Sequence, residues 1–157
     1  RPAYARTAAG PVVVPTDFSP PAGRACEIAA AEARRRGARL VVMHATELGP
    51  LAMPYVGPSG IAPGPMVPSA VDLEGWQEVR HAAQRRISDL LAGTGLPGEA
   101  LLEDQAATRA IRDVAERVAA SLVVLGTSGR TGARRVLLGS VAESVVRGAP
   151  CSVLVVR

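Results

Sequence analysis

Five short apolar runs alternate along the sequence with segments that have the periodicity of helices. Most of these runs are continuously apolar rather than alternating, which is typical of parallel strands covered by helices on both faces. Strands that alternate with helices form right-handed β-α-β crossovers. The sequence therefore predicts an α/β fold with an open five-stranded parallel sheet. The runs are Val12–Val14, Leu40–Met43, Ala100–Leu102, Leu122–Leu125 and Val153–Val156.

Four segments between these runs are predicted to be helices, at residues 20–36, 71–92, 108–120 and 141–147. Ser19 can cap the first helix, Pro20 suits its first position and Gly37 ends it. Ser140 is followed three residues later by Glu143, which predicts a capping box at the start of the last helix. The second helix carries one apolar stripe at helical spacing, made of Leu73, Trp76, Val79, Ala83, Ile87 and Leu90.

Length and composition indicate one domain that spans residues 1–157. Aromatic residues are only 3% of the chain, so its core must be built from Val, Leu and Ala. Residues 49–70 are rich in Pro and Gly and lack periodicity, which predicts a surface loop. This loop is either a lid over a ligand or a flexible connection. No apolar run approaches the roughly 18 residues of a membrane span, and no membrane partner is expected.

Cysteine usage and charge exclude several classes of site. Cys26 and Cys151 do not have the spacing of metal ligands, which predicts free thiols. The first ten residues lack the apolar stretch of a secretory signal. We therefore expect a cytoplasmic protein. All eighteen basic residues are Arg, which excludes a lysine-based phosphate loop or Schiff base. The arginine clusters at 34–36 and 85–86 lie among acidic residues without an aromatic platform, which favours solvated helix surface over a nucleic-acid site.

A glycine-rich stretch from Leu125 to Ser140 is the strongest candidate for a ligand site. Gly126 ends an apolar strand, Gly129 follows after two residues, and Gly139 and Ser140 come after nine more. Glycines at a strand end and a helix start let the backbone approach a ligand and offer it N–H groups, which suits a phosphate. No catalytic base and no metal cluster can be assigned. His44, at the end of an apolar strand, is predicted to be a hydrogen-bonded strand-end residue rather than a base.

The spacing G-x2-G-x9-G-S resembles the nucleotide-binding signature of the universal stress protein family. VVVPTDFSP at 12–20 and GSVAESVVRGAPCSVLVVR at 139–157 are similar to the flanking segments of that family. The resemblance implies a Rossmann-like sheet with strand order 3-2-1-4-5 and a crevice between strands one and four. It also implies binding of ATP or another adenine nucleotide, with Mg²⁺ bridging the phosphates, and a regulatory role in stress adaptation.

The resemblance places particular residues in this crevice. Asp17 would lie against the adenosine and Ala45 beside the adenine, although the position of Asp17 also allows it to cap the first helix. Arg130 could neutralise phosphate charge. The family further implies a homodimer through the last strand, which we expect at a sheet edge. The implied binding residues are Pro15, Thr16, Asp17, Ala45, Gly126, Gly129, Arg130, Gly139, Ser140 and Val141.

Two other functions remain open from the sequence. One is a slow ATP hydrolase, although no base or arginine finger can be assigned. The other is a protein-interaction module that binds no nucleotide, against which the intact glycine spacing speaks. In the nucleotide-binding interpretation, occupancy would order the glycine loop and change a surface that an unidentified protein partner contacts.

Overall fold

A computed structural model describes residues 10–46, 70–127 and 138–157 of the chain. Strands and helices alternate throughout these residues, as the pattern of apolar runs predicts. The Pro/Gly-rich segment at 49–70 lies almost entirely outside the described residues. The elements are β1 (Val12–Pro15), α1 (Pro20–Arg36), β2 (Leu40–Ala45), α2 (Ala70–Thr94), β3 (Gly98–Glu103), α3 (Ala107–Arg117), β4 (Leu122–Gly126), α4 (Ser140–Gly148) and β5 (Ser152–Val156).

The five strands form one parallel sheet in the order β3-β2-β1-β4-β5. β1 lies at its centre, with Val12 opposite Leu40 of β2 on one side and Leu122 of β4 on the other. β3 and β5 are the two edge strands. This confirms the α/β class, the parallel sheet and the strand order 3-2-1-4-5.

Helices cover both faces of the sheet. Val12 and Val14 point to the face covered by α1 and α2, while Val13 points to the face covered by α3 and α4. Because side chains alternate along a strand and both faces are covered, every position of β1 must be apolar. The buried contacts from the helices are mostly small: Ala25, Ala29 and Ala33 of α1, Ile87 of α2, Ile111, Val114 and Ala115 of α3, and Ala142 and Val145 of α4.

The first helix begins and ends as its sequence predicts. Ser19 has an extended backbone and its side-chain oxygen accepts a hydrogen bond from the N–H of Ala22 at 3.4 Å. Pro20 occupies the first helical position. Gly37 ends the helix in the left-handed region at φ 61°, a conformation that glycine adopts without steric cost.

The second helix buries less of its apolar stripe than its sequence predicts. Ala83 and Ile87 are buried, but Val79 is 55% exposed and Leu90 36%. α2 runs antiparallel to β3, and Arg80 already forms an ion pair with Asp104, the first residue after that strand. Val79 therefore extends beyond the end of the sheet. At the other end Leu91 rather than Leu90 packs against the core, because it continues the four-residue spacing of Ala83 and Ile87.

The predicted capping box at the last helix is wrong. Gly139, with φ −61° and ψ 152°, is the N-cap, and Ser140 is the first helical residue. Gly139 takes this position because its own N–H donates to the carbonyl of Thr127 at 2.8 Å, while its carbonyl accepts from the N–H of Glu143. The Glu143 carboxylate pairs with Arg147 one turn later instead of reaching back to the cap.

Candidate functional site

The candidate site lies at the carboxyl ends of β1 and β4, which are neighbours in the sheet. The chain leaves β1 for α1 on one face and leaves β4 for α4 on the other face. Because the two connections diverge, a crevice opens between them, and open α/β sheets bind ligands at this point. Its walls are the turn after Pro15 on one side and the start of α4 on the other.

The N–H, the hydroxyl oxygen and the carbonyl oxygen of Thr16 all form hydrogen bonds that hold the turn after β1. Its N–H donates to the carbonyl of Met43 at 2.8 Å, and its hydroxyl oxygen accepts from the N–H of Phe18 at 3.0 Å. His44 Nδ1 lies 2.7 Å from the Thr16 carbonyl oxygen, which confirms His44 as a hydrogen-bonded strand-end residue. Thr16 is only 6% exposed, so its side chain shapes the turn.

Asp17 follows at the half-buried tip of this turn. Its Oδ1 accepts hydrogen bonds from the N–H and the hydroxyl of Ser19, at 3.0 and 2.5 Å. Ser19 itself is the N-cap of α1, so the interpretation of Asp17 as that cap is wrong. Asp17 instead orients the capping serine, and the start of α1 in turn fixes the carboxylate at the crevice.

Ala45 ends β2, one strand away from the crevice, and is half-buried opposite Glu103 of β3. Thr46, directly after it, is anchored through its N–H to the Glu103 carbonyl at 2.9 Å and through its hydroxyl to Asp104 Oδ1 at 2.6 Å. Pro15, Asp17 and Ala45 therefore all lie at the carboxyl ends of the adjacent strands β1 and β2.

The two ends of the β4–α4 connection are tied together. Thr127 donates its N–H to the carbonyl of Val156 at 2.8 Å, and its own carbonyl accepts from the N–H of Gly139 at 2.8 Å. Gly126 packs against the first turn of α1, where an added Cβ would lie 3.1 Å from Cβ of Pro21 and 3.2 Å from its backbone. Of the predicted residues, Gly129 and Arg130 lie outside the described part of the chain.

The start of α4 forms the second wall of the crevice. The N–H groups of Ser140 and Val141 belong to the first helical turn, where no carbonyl of the same helix can accept them. The positive end of the helix dipole lies at the same point. Ser140 is exposed, so a ligand can reach it. This end of the helix can accept an anion, with the N–H of Gly139 already used by Thr127.

Sequence reasoning missed Phe18. Its backbone lies in the left-handed region at φ 62°, and its ring stacks with His44 at 4.6 Å between centroids, tilted by 40°. The guanidinium carbon of Arg86 lies 3.9 Å from the centroid of the same ring. Arg86 is exposed on the helix surface, as its sequence context predicts, and its guanidinium also contacts this ring. No local pattern signals this stack, because its three residues come from a turn, a strand and a helix far apart in sequence.

The described residues contain neither a group of metal ligands nor a membrane-spanning helix. Across 10–46, 70–127 and 138–157, no three side chains of His, Cys, Asp or Glu come together as a group that could hold a metal ion. Within those same ranges, no helix has the length and hydropathy needed to cross a membrane.

Fold and crevice together define a Rossmann-like α/β protein with a candidate ligand site at its topological switch point. The model of the universal stress protein family matches residues 9–157. The chain belongs to the universal stress protein family.

Several relatives cover almost the whole chain. The universal stress protein from the QAH/OAS sulfhydrylase 3' region of Thermus aquaticus is 38% identical over 149 residues, 93% of this chain and 97% of that protein. A universal stress protein from Archaeoglobus fulgidus in complex with dAMP is 26% identical, with a TM-score of 0.62 over 94% of this chain and 98% of that one. A universal stress protein in complex with cAMP is 25% identical, with a TM-score of 0.67 over 96% and 99% of the two chains. Structural relatives of this chain thus include proteins bound to adenine nucleotides.

Proposed function

We propose that this protein binds an adenine nucleotide, ATP, in the crevice between β1 and β4 and acts as a regulatory protein of stress adaptation. The observation that carries the proposal is that two preformed features follow the carboxyl ends of the neighbouring strands β1 and β4: the hydrogen-bonded turn at Thr16 and Asp17, and the start of α4 at Ser140. The dAMP and cAMP complexes of two structural relatives support an adenine nucleotide as the ligand.

Each wall has its own role in the proposal. The turn at Pro15, Thr16 and Asp17, with Ala45 beside it, receives the adenosine. The phosphates lie towards α4, where the N–H groups of Ser140 and Val141 and the positive helix end favour negative charge. The chain contains no lysine, so the protein's own contribution to balancing the phosphate charge must come from backbone donors and arginine. Gly126, Gly129, Arg130 and Gly139 belong to the connection that completes the phosphate end.

The residues at the crevice fit Mg²⁺ that is carried by the phosphates. Mg²⁺ commonly keeps several waters and takes only one or two carboxylates besides substrate phosphates. Asp17 lies at the adenosine end in this proposal, so the ion would be held by phosphate oxygens and water, and the described residues form no dedicated metal cluster. When bound, the ion neutralises phosphate charge; the protein's part is to hold the nucleotide through the turn and the helix start.

Isothermal titration of the purified protein tests this proposal. We expect saturable heat with ATP in the presence of Mg²⁺, and weaker binding of AMP, because AMP presents fewer phosphate oxygens to the start of α4. ADP and cAMP complete the series of adenine nucleotides. GTP is the control that tests specificity for adenine. A flat titration with every adenine nucleotide, together with an unchanged melting temperature, would contradict the proposal.

We further propose a homodimer through β5. The edge strand β3 carries Glu99 and Glu103, which pair with Arg39 and Arg117 and protect that edge by charge. β5 has no charged residue, and Leu154 is 37% exposed. An apolar, unpaired edge is a site of association, and pairing of β5 with its own copy about a two-fold axis is self-complementary.

Val155→Pro should convert this dimer into a monomer. The carbonyl of Val156 bonds to Thr127 after β4, so by alternation along the strand the N–H of Val155 points away from the sheet. Proline at 155 removes an outward donor without removing a bond to β4. Light scattering should give about twice the chain mass of 16.2 kDa for the parent and for Val155→Ala, and the single mass for Val155→Pro. A parent protein that stays monomeric at every concentration would refute the dimer.

A further inference from the structure

Phe18 has a strained backbone at the edge of the proposed nucleotide site. It follows Asp17 directly and has φ 62°. Positive φ is a rare and strained conformation for a bulky residue, and it persists only where the surroundings impose it. Such strain concentrates at ligand clamps and switch regions. The contacts that impose it here come from three different elements.

The first group of contacts joins Phe18 to the turn and to β2. Its N–H donates to the hydroxyl oxygen of Thr16 at 3.0 Å, and its ring packs on His44. His44 Nδ1 in turn contacts the carbonyl oxygen of Thr16 at 2.7 Å. The ring of Phe18 and the backbone on both sides of Asp17 are therefore parts of one hydrogen-bonded and stacked unit.

The remaining contact joins the same ring to α2. The guanidinium of Arg86 lies over the Phe18 ring at 3.9 Å, within the range of a cation–π interaction. Arg85 and Arg86 are both exposed, but among the described residues only the guanidinium of Arg86 lies over the ring. Arg86 thus links the position of α2 to the turn that holds Asp17.

Phe18 and Arg86 also line a groove between α1 and α2, about 730 Å³ in volume. Cys26 lies in its wall and is only 8% exposed. Burial, with a smaller contribution from Glu27, raises the pKa of the Cys26 thiol to about 11. Because the thiolate is the reactive form, we expect Cys26 to react slowly while α1 and α2 keep this spacing, so its rate of alkylation reports how far the two helices separate.

We propose that Arg86, Phe18 and His44 form a positioning stack that couples nucleotide binding at Asp17 to closure of the α1–α2 groove. The inference rests on the proposed nucleotide binding and adds to it a second surface whose state the nucleotide controls. A nucleotide that holds Asp17 also holds the strained Phe18, and the ring then retains Arg86 and α2. By linkage, anything that closes the groove strengthens nucleotide binding by the same factor.

Alkylation of Cys26 by N-ethylmaleimide at pH 8, in a Cys151→Ser protein that keeps Cys26 as its one thiol, tests the coupling. Saturating MgATP should slow the reaction by about fivefold or more. Arg86→Ala should bind ATP about two- to fivefold more weakly and lose most of this protection even when saturated. Arg85→Ala is the matched control and should behave as the parent, and Arg86→Lys, which keeps a cation over the ring, should restore part of the protection.

The outcomes separate this inference from the proposed function. An Arg86→Ala protein saturated with ATP is still stabilised overall by its ligand. If ATP no longer slows alkylation of Cys26 in this variant, the lost protection is due to the missing stack and not to lower overall stability. Calorimetric binding of ATP by the parent, with a Cys26 rate that ATP does not change, would overturn the coupling and leave the proposed function intact. Equal protection in Arg86→Ala and the parent would overturn it as well. A parent protein that binds no nucleotide would overturn both the coupling and the proposed function.

Discussion

Replacing Ser140 with proline should weaken ATP binding by about ten- to a hundredfold while the fold survives, because hydrogen bonds to charged groups are among the strongest in proteins. Ser140 is the first residue of α4, the one helical position where proline is favoured. Gly139 before it is extended, with ψ 152°, as the residue before a proline prefers. The substitution therefore removes an N–H donor and a hydroxyl from the crevice without distorting the helix.

Ser140→Ala is the matched control for this prediction. It removes the hydroxyl and keeps the N–H, so we expect a loss below about fivefold. Titration calorimetry gives both affinities, and circular dichroism with thermal melting verifies that each variant is folded. If Ser140→Pro binds ATP as the parent does, the phosphates do not lie at the start of α4.

Gly98→Ala should destabilise the protein by about 2–3 kcal/mol, close to the upper end for overpacking by a single substitution. Gly98 begins β3 opposite Leu40, and an added Cβ would overlap the carbonyl group of Leu40. This carbonyl is backbone and cannot rotate aside as a side chain could, and the N–H of Leu40 is bonded to the carbonyl of Pro97. Relief therefore requires β3 to move away from β2.

Gly75→Ala is the matched comparison, for which we expect a change in stability of the opposite sign. Gly75 lies within α2, and a Cβ added there would meet nothing within 4 Å. Alanine at this position should stabilise the protein by about 0.5–1 kcal/mol, because glycine loses more conformational freedom in a helix. Urea denaturation of both variants measures the two free energies of unfolding. A Gly98→Ala protein within about 0.5 kcal/mol of the parent would show that β3 relaxes freely.

The sequence alone predicted the elements of this fold better than their arrangement. Continuous apolar runs such as Leu122–Leu125 indicate strands covered on both faces, and Ser19, Pro20 and Gly37 mark the limits of α1 through local chemistry. The strand order depends on which crossovers pack together, a non-local property, and came only from the family resemblance. The exposure of Val79 has the same origin, since it depends on where β3 ends beneath α2.

The candidate site divides in the same way. Gly139 and Ser140 are recognisable from their spacing, but which of them caps α4 depends on a hydrogen bond to Thr127, a residue twelve positions earlier. Phe18 carries no signal in the sequence, because its left-handed backbone accompanies contacts with His44 and Arg86, which are distant in sequence. Residues that act through local backbone geometry can be predicted; those held by contacts distant in sequence cannot.

The unequal edges of the sheet have a consequence for the proposed dimer. Glu99 and Glu103 with their arginine partners occupy one edge, and the uncharged β5 forms the other. Self-pairing through a single edge consumes that edge in both copies and stops at two. A sheet with two apolar edges could add copies without end, as fibres do. In the proposed dimer, the ion pairs on β3 would therefore keep the second edge from pairing and limit assembly to two copies.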